Sequence, residues 1–352
     1  MPLAAVTGIN GYVATHVVLY YLQKGWTVRG TVRSTSKVEN VKSFPVYKEY
    51  FEKGQLEVVV LKDLVNGDWT PVLEGVEAVA HVAAPIGMKG DNITWADYKG
   101  PTVTGIIRLL EAAKDSPTIK GISAISSMAA AFDPAKLGST EDLTLTENDW
   151  FPIPEEYLAA MDVMEPFTTQ LWYCGAKKIS ETEAFQWVET NKPSWSYATI
   201  VPPMVYGPPL HILSPEGLNI ETGGSLPDLV TLFSGKDLPP QLAEAWVDIT
   251  DVAAGFFETS TRQKSGRFLI SGGKYTWQIF ADYLRKIRPD LEAYVPLGNP
   301  SAPQKITKFV DNSKSIKELG LTYKSHEEML KETVEHFEKI GLFKIPPGAW
   351  KK

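Results

Sequence analysis

Residues Leu3-Ala4-Ala5-Val6-Thr7-Gly8-Ile9-Asn10-Gly11-Tyr12-Val13-Ala14 decide how the rest of the chain is read. An apolar run meets a threonine and two glycines three apart, then a segment of helical periodicity: strand, tight turn, helix. Gly8 permits the turn and a close backbone approach. Gly11 lets a pyrophosphate sit on the helix N-terminus, and Ala14 allows tight helix–sheet packing. The spacing is T-G-x-x-G-x-x-A rather than G-x-G-x-x-G, a weak pattern by itself because glycines are common in such turns. Its position gives it weight, because it opens an alternating series.

That series extends through the first two hundred residues. Leu3–Thr7, Thr27–Arg33, Leu56–Leu61, Val76–Val82, Ile119–Ser126 and Tyr197–Val201 read as strands, several apolar on both faces as in a covered parallel sheet. Between them, helical patterns fall at Tyr12–Lys24, Val46–Lys53, Thr94–Lys114 and Thr168–Thr190. The alternation predicts an α/β fold, a Rossmann-type doubly wound parallel sheet with a smaller C-terminal substrate lobe. Asp133–Pro166 is acidic, proline-containing and too long for a simple connection. Past Pro202, dense Pro and Gly suggest loops over the carboxyl edge, followed by a strand at Arg267–Ser271 and helices at Thr276–Ile287 and His326–Ile340. The expected division is a dinucleotide domain at 1–203, with 236–262 returning to it, and a substrate lobe of 204–235 and 263–352.

Composition narrows the function classes. Of 352 residues, 43% are hydrophobic and 22% charged, so a globular core is expected. The net charge is -7 and no Lys/Arg block forms a nucleic-acid footprint. No apolar stretch is long enough to span a membrane and no secretory signal is visible, so a cytoplasmic location is expected. Cys174 is the single cysteine, and the five histidines show no metal-ligand spacing, so no metal is expected. Nucleic acid and membrane are not expected partners; a small molecule is.

The end of the second strand selects between cofactors. A carboxylate there would favour NAD, but Thr31-Val32-Arg33-Ser34-Thr35-Ser36-Lys37 has none. Arg33 and Lys37 can neutralise a 2′-phosphate, so NADP(H) is expected. Asp63 and Leu64 close the third strand, where they can bracket an adenine. Val82, Ala83 and Ala84 close the fourth, small enough for a ribose to approach. Farther on, Tyr173 and Lys177 lie four apart in a helical segment and leave the same face. Such pairs arise by chance on many helices. Ser126 and Ser127, ending the fifth strand where doubly wound sheets place their chemistry, could equally cap the edge. The acids Glu141, Asp142, Glu147 and Asp149 read as a solvated loop rather than a hydrolytic pair.

Taken together, these residues resemble the extended short-chain dehydrogenase/reductases, in particular the group of dihydroflavonol 4-reductases, cinnamoyl-CoA reductases and aldehyde and methylglyoxal reductases. The resemblance runs from Thr7–Ala14 through Val28–Arg33, Asp63-Leu64, Ser126-Ser127 and Glu147-x-x-Trp150. It continues through Tyr173-Cys174-Gly175-Ala176-Lys177-Lys178 with Glu181, Val205-Tyr206-Gly207-Pro208 and Trp246–Ala253. It departs at Val103-Thr104-Gly105-Ile106, where relatives often carry asparagine, and at Met128. The resemblance implies that Tyr173 is the general acid of carbonyl reduction. Lys177 would lower its pKa and hold the nicotinamide ribose, and Ser127 would donate to the substrate oxygen. Thr7, Gly8, Gly11, Tyr12 and Val13 would take the phosphates, with Pro202 and Val205 at the nicotinamide. Ile86, Met128, Phe132, Trp172 and Met204 are the expected pocket wall. The expected reaction is NADPH-dependent reduction of an aldehyde or ketone by a monomer or homodimer. A sugar-nucleotide epimerase or dehydratase with bound NAD and a non-catalytic NADP sensor are the alternatives.

Overall fold

The computed structural model describes residues 1–84, 92–136, 141–163, 167–218 and 224–349. Its strands are β1 Leu3–Val6, β2 Thr27–Val32, β3 Leu56–Val60, β4 Ala78–His81, β5 Gly121–Ile125, β6 Leu143–Leu145, β7 Ser196–Val201, β8 Met204–Tyr206, β9 Ala245–Asp248, β10 Gly266–Leu269, β11 Gly273–Lys274 and β12 Lys308–Val310. The helices are α1 Tyr12–Gln23, α2 Thr35–Lys42, α3 Lys48–Glu52, α4 Thr70–Leu73, α5 Trp95–Lys99, α6 Gly105–Ala113 and α7 Glu155–Ala160. They continue with α8 Thr168–Asn191, α9 Leu226–Thr231, α10 Ile249–Thr261, α11 Trp277–Ile287, α12 Ser313–Leu319 and α13 His326–Lys339.

Seven strands form one parallel sheet in the order β10-β7-β5-β4-β1-β2-β3. Side chains alternate across it, and both faces are apolar. Ala4, Val6, Ala78, Ala80 and Ile200 face α1 and α10, whereas Ala5, Val79, Ile122 and Tyr197 face α6 and α8. The strand order reverses between β1 and β4, which opens a crevice at their carboxyl ends. The expected doubly wound fold is the one observed.

A smaller body stands over that edge. Its three-stranded sheet runs β11-β9-β8, and an aromatic core of Tyr206, Phe233, Trp246, Tyr275, Trp277, Phe280 and Phe337 fills it. Strands β6 and β12 pair separately, tying the acidic excursion to the chain's last third.

Several expectations need correction. β10 belongs to the main sheet beside β7, not to the lobe to which 263–352 was assigned. Phe268, Leu269 and Ile270 are fully buried there, as a covered parallel strand requires. Leu319 and Leu321 likewise pack in the main core. β9, expected to return with 236–262, pairs with β8 and β11 instead, while α10 goes back to the sheet and Val247 of β9 packs into the same core. The helix expected over Thr94–Lys114 contains a π-helical turn at Gly100–Thr104, because Pro101 has no N–H to continue the α ladder. The segment expected at Val46–Lys53 is a 3₁₀ turn, Pro45–Tyr47, running into α3.

Candidate active site

The turn after β1 reaches the crevice with a left-handed glycine. Gly8 has φ +72°, and a Cβ there would sit 3.1 Å from the Cβ of Ala83 in the β4 loop. A larger residue at either position would close the crevice from within. No side chain caps α1 at Gly11, which leaves its first-turn N–H groups facing the crevice mouth.

Thr7 fixes the other wall. Its hydroxyl accepts from the N–H groups of Val82 and Ala83, both at 2.9 Å. With its lone pairs so used, its proton goes to Nδ1 of His81 at 3.2 Å, which sets the Nε2–H tautomer. Burial and the nearby Lys177 charge hold His81 down at about 3, so the imidazole is neutral.

Arg33 follows β2 directly and Lys37 lies in the first turn of α2; both are exposed. Among the described residues neither makes an ion pair. Two free cations at this strand end suit a phosphate monoester on the ribose. Asp63 accepts from Val65 N–H (2.8 Å) and Asn66 (2.9 Å), so its carboxylate shapes the loop after β3. Pro202 ties the ends of β7 and β5 together by accepting from Met128 N–H at 2.8 Å, and Val205 is buried in the main core.

α8 carries the stripe Tyr173, Lys177 and Glu181, each one turn below the last. The helix follows Phe167, which is left-handed (φ 65°) and 72% exposed, and it stops before Pro193 at the left-handed Lys192. The Ser127 hydroxyl accepts from Ala129 N–H at 3.2 Å and lies near enough to Tyr173 to act on the phenol's titration. Ser126, by contrast, is committed to Glu181 at 2.6 Å, so only the second serine faces the phenol. Burial pushes Tyr173 up to about 12, with Ser127 pulling the other way, so the phenol is protonated at neutral pH. This net shift reverses the lowering implied by the resemblance. Burial dominates, and the Lys177 ammonium donates to the Ile125 carbonyl (3.2 Å) while lying 5.9 Å from the Tyr173 ring centre. Burial also brings Lys177 down to about 8, against the opposing charge of Glu181.

The four expected pocket residues that are described, Met128, Phe132, Trp172 and Met204, fall in three separate packing groups. Trp172 is buried, its indole N–H donating to Leu158 O at 2.6 Å, and it forms part of the wall of a cavity of about 400 Å³ with Ile93, Trp95, Met161 and Val163. Among the described residues that wall includes neither Tyr173 nor Ser127. Met128 and Phe132 pack on Leu145, Val201 and Leu269, while Met204 packs on the lobe core. Ile86 and Ala84's successors 85–91 lie outside the described residues.

Sequence spacing did not foreshadow two groupings. Three histidines, far apart in the chain, meet at the loop Gly207–Ile212. His16 bonds Pro208 O (2.8 Å), His336 bonds Ile212 O (3.2 Å), and His211 lies against the Tyr12 ring, whose hydroxyl donates to Gly207 O (2.7 Å). Among the described residues no group of three His, Cys, Asp or Glu is placed to hold a metal. The second grouping joins Glu181 to Arg267, 86 positions later in the chain.

Fold and crevice together define a dinucleotide-binding α/β protein. The chain belongs to the NAD dependent epimerase/dehydratase family, whose sequence model matches residues 4–257, among the extended short-chain dehydrogenase/reductases. An uncharacterized oxidoreductase of Schizosaccharomyces pombe is 33% identical, over 97% of this chain and 99% of that one. The NADPH-dependent methylglyoxal reductase GRE2 of Saccharomyces cerevisiae is 27% identical over 95% and 98%. Gre2 from Candida albicans, solved in complex with NADPH, superposes with a TM-score of 0.80 at 25% identity, over 97% of this chain and all of that one. Among the described residues no helix is long and apolar enough to cross a membrane.

Proposed function

We propose that the chain is an NADPH-dependent reductase of aldehydes or ketones that uses Ser127, Tyr173 and Lys177. The observation carrying this reading is the approach of Ser127, at the carboxyl end of β5, to Tyr173 of α8, with Lys177 one turn below and bonded to the Ile125 carbonyl. The relatives named above, a methylglyoxal reductase among them, support the same class of reaction.

The residues present fit NADPH. The Gly8–Ala83 approach and the uncapped start of α1 would take the pyrophosphate, and Arg33 with Lys37 the 2′-phosphate. The absence of a carboxylate after β2 disfavours the bound-NAD epimerase alternative. Bound NADPH supplies the hydride. The protein's part is polarisation and proton delivery. The Ser127 hydroxyl donates to the carbonyl oxygen as charge grows on it. Tyr173, protonated at neutral pH, gives its proton to that oxygen, and the Lys177 ammonium steadies the phenolate left behind. The product is an alcohol.

The test is NADPH oxidation across aliphatic, aryl and flavonoid carbonyls, with Tyr173→Phe alongside. The variant should lose about 100- to 10,000-fold in kcat. Full activity in Tyr173→Phe would overturn the assignment, and turnover of no carbonyl by the wild type would favour a non-catalytic sensor.

A further inference from the structure

Glu181 is 2% exposed and Arg267 6%. The guanidinium donates to the carboxylate through Nε at 2.9 Å and Nη2 at 3.4 Å. Ser126 at 2.6 Å and Thr199 at 2.7 Å supply the remaining donors. One carboxylate on α8 thus grips the end of β5, the middle of β7 and the edge strand β10. Arg267 continues outward, donating to the carbonyls of Glu147 (2.6 Å) and Asp149 (2.8 Å) and lying 3.6 Å over the Trp150 ring. Glu147 returns the connection by accepting from Leu269 N–H at 3.2 Å.

A buried ion pair is a poor way to gain stability, since apolar side chains of similar volume do as well or better. It is a good way to specify register. α8 buries Trp172, Ile179 and the small residues Gly175, Ala176 and Ala184, contacts that are apolar and carry no directional bond to the strands. A carboxylate held by four donors from three strands supplies such bonds. The same carboxylate holds Ser126, so Ser127, the next residue, is the serine left beside Tyr173.

We propose that the Glu181–Arg267 pair is a positioning device for the reaction: it sets α8 on the sheet so that Tyr173 meets Ser127, and it places a fixed negative charge one turn below Lys177. This rests on the reading of Tyr173 and Lys177 given above. The groups facing Lys177 are Tyr173 and Glu181 on its own helix, neutral His81 from β4 and the Ile125 carbonyl from β5, with Arg267 of β10 behind Glu181. Glu181 is the group that opposes the effect of burial on Lys177. Removing it should therefore let the ammonium lose its proton at lower pH.

The experiment compares wild type with Glu181→Gln/Arg267→Met, which removes both charges and strands neither. Should that pair not fold, Glu181→Leu/Arg267→Met carries the same measurement. Folding is checked by circular dichroism, and kcat is followed against pH with saturating NADPH and the best carbonyl of the screen. The double variant should lose about 10- to 100-fold in kcat, with little change in the KM for NADPH. The alkaline limb of its profile should move down, because Glu181 acts on Lys177 directly and Arg267 stands behind it. A folded variant with wild-type kcat overturns the proposal. So does a lower kcat with an unmoved alkaline limb, which is what a merely structural pair would give. Tyr173→Phe separates the two readings: if it stays active the assigned chemistry fails, whereas if it is dead and the double variant behaves as wild type, only the positioning role fails.

Discussion

The Thr7 hydroxyl gives its single proton to Nδ1 of His81, because the Val82 and Ala83 N–H groups already occupy its lone pairs. One side chain therefore fastens the first strand's turn to the fourth strand's end across the crevice. Thr7→Val keeps the shape and leaves two N–H groups and one ring nitrogen without their partner. It should destabilise the protein by about 2–4 kcal/mol in denaturant unfolding and raise the KM for NADPH. Thr7→Ser should recover most of both. Nitrogen NMR of His81 should show the Nε2–H tautomer, unprotonated through pH 5.

His16 gives a pH signature that can be isolated. Burial holds it at about 4 in the folded protein, below its ordinary value of 6.5. The unfolded chain then binds the extra proton between those values, so stability is complete above about pH 6.5 and is lost as pH falls towards 4. The buried carboxyls Asp228 and Asp251, raised to about 6 and 7, act in the opposite direction and mask the effect in the whole protein. The comparison must therefore be with His16→Gln, which keeps a donor for Pro208. Between pH 8 and pH 4.5 the stability of wild type relative to the variant should fall by about 2–3 kcal/mol. A gap independent of pH would show that His16 titrates normally.

Arg33 should matter for one cofactor only. Removing a charged donor to the 2′-phosphate in Arg33→Ala should raise the KM for NADPH about 10- to 100-fold and leave that for NADH unchanged. Equal effects on both would place the guanidinium elsewhere.

Gly121 opens β5 where α10 crosses it. A Cβ there would lie 2.3 Å from the Ser260 carbonyl oxygen, a backbone atom that cannot rotate away. Gly121→Ala should cost about 2–3 kcal/mol by thermal unfolding. Gly100→Ala meets nothing within 4 Å and should shift stability by less than about 1 kcal/mol in either direction.

The main sheet was legible because its strands are short, apolar on both faces and separated by helices of recognisable period. The glycine turn and the Tyr173–Lys177 spacing were legible because both are local. What escaped was set by partners far along the chain. β10 has the same composition whether it joins a lobe or a sheet edge, and only the open side of β7 decides. Nothing near His16 announces His211 or His336. Glu181 reads as an ordinary helix residue until Arg267 arrives from β10. The direction of the Tyr173 shift was missed for a related reason: a cation four residues away is visible in the sequence, but the depth of burial is not.

The late arrival of β10 bears on how the protein is made. When the first two hundred residues have left the ribosome they contain Ser127, Tyr173 and Lys177, but β7 is still a bare edge and Glu181 has no cation to face. The nascent half-protein thus holds Ser127, Tyr173 and Lys177 before the proposed positioning pair exists. Synthesis must pass Leu269 before β7 gains its outer neighbour and Glu181 its cation, so on the proposed role of that pair the Tyr173–Lys177 stripe would be among the last features of the Rossmann half to be set.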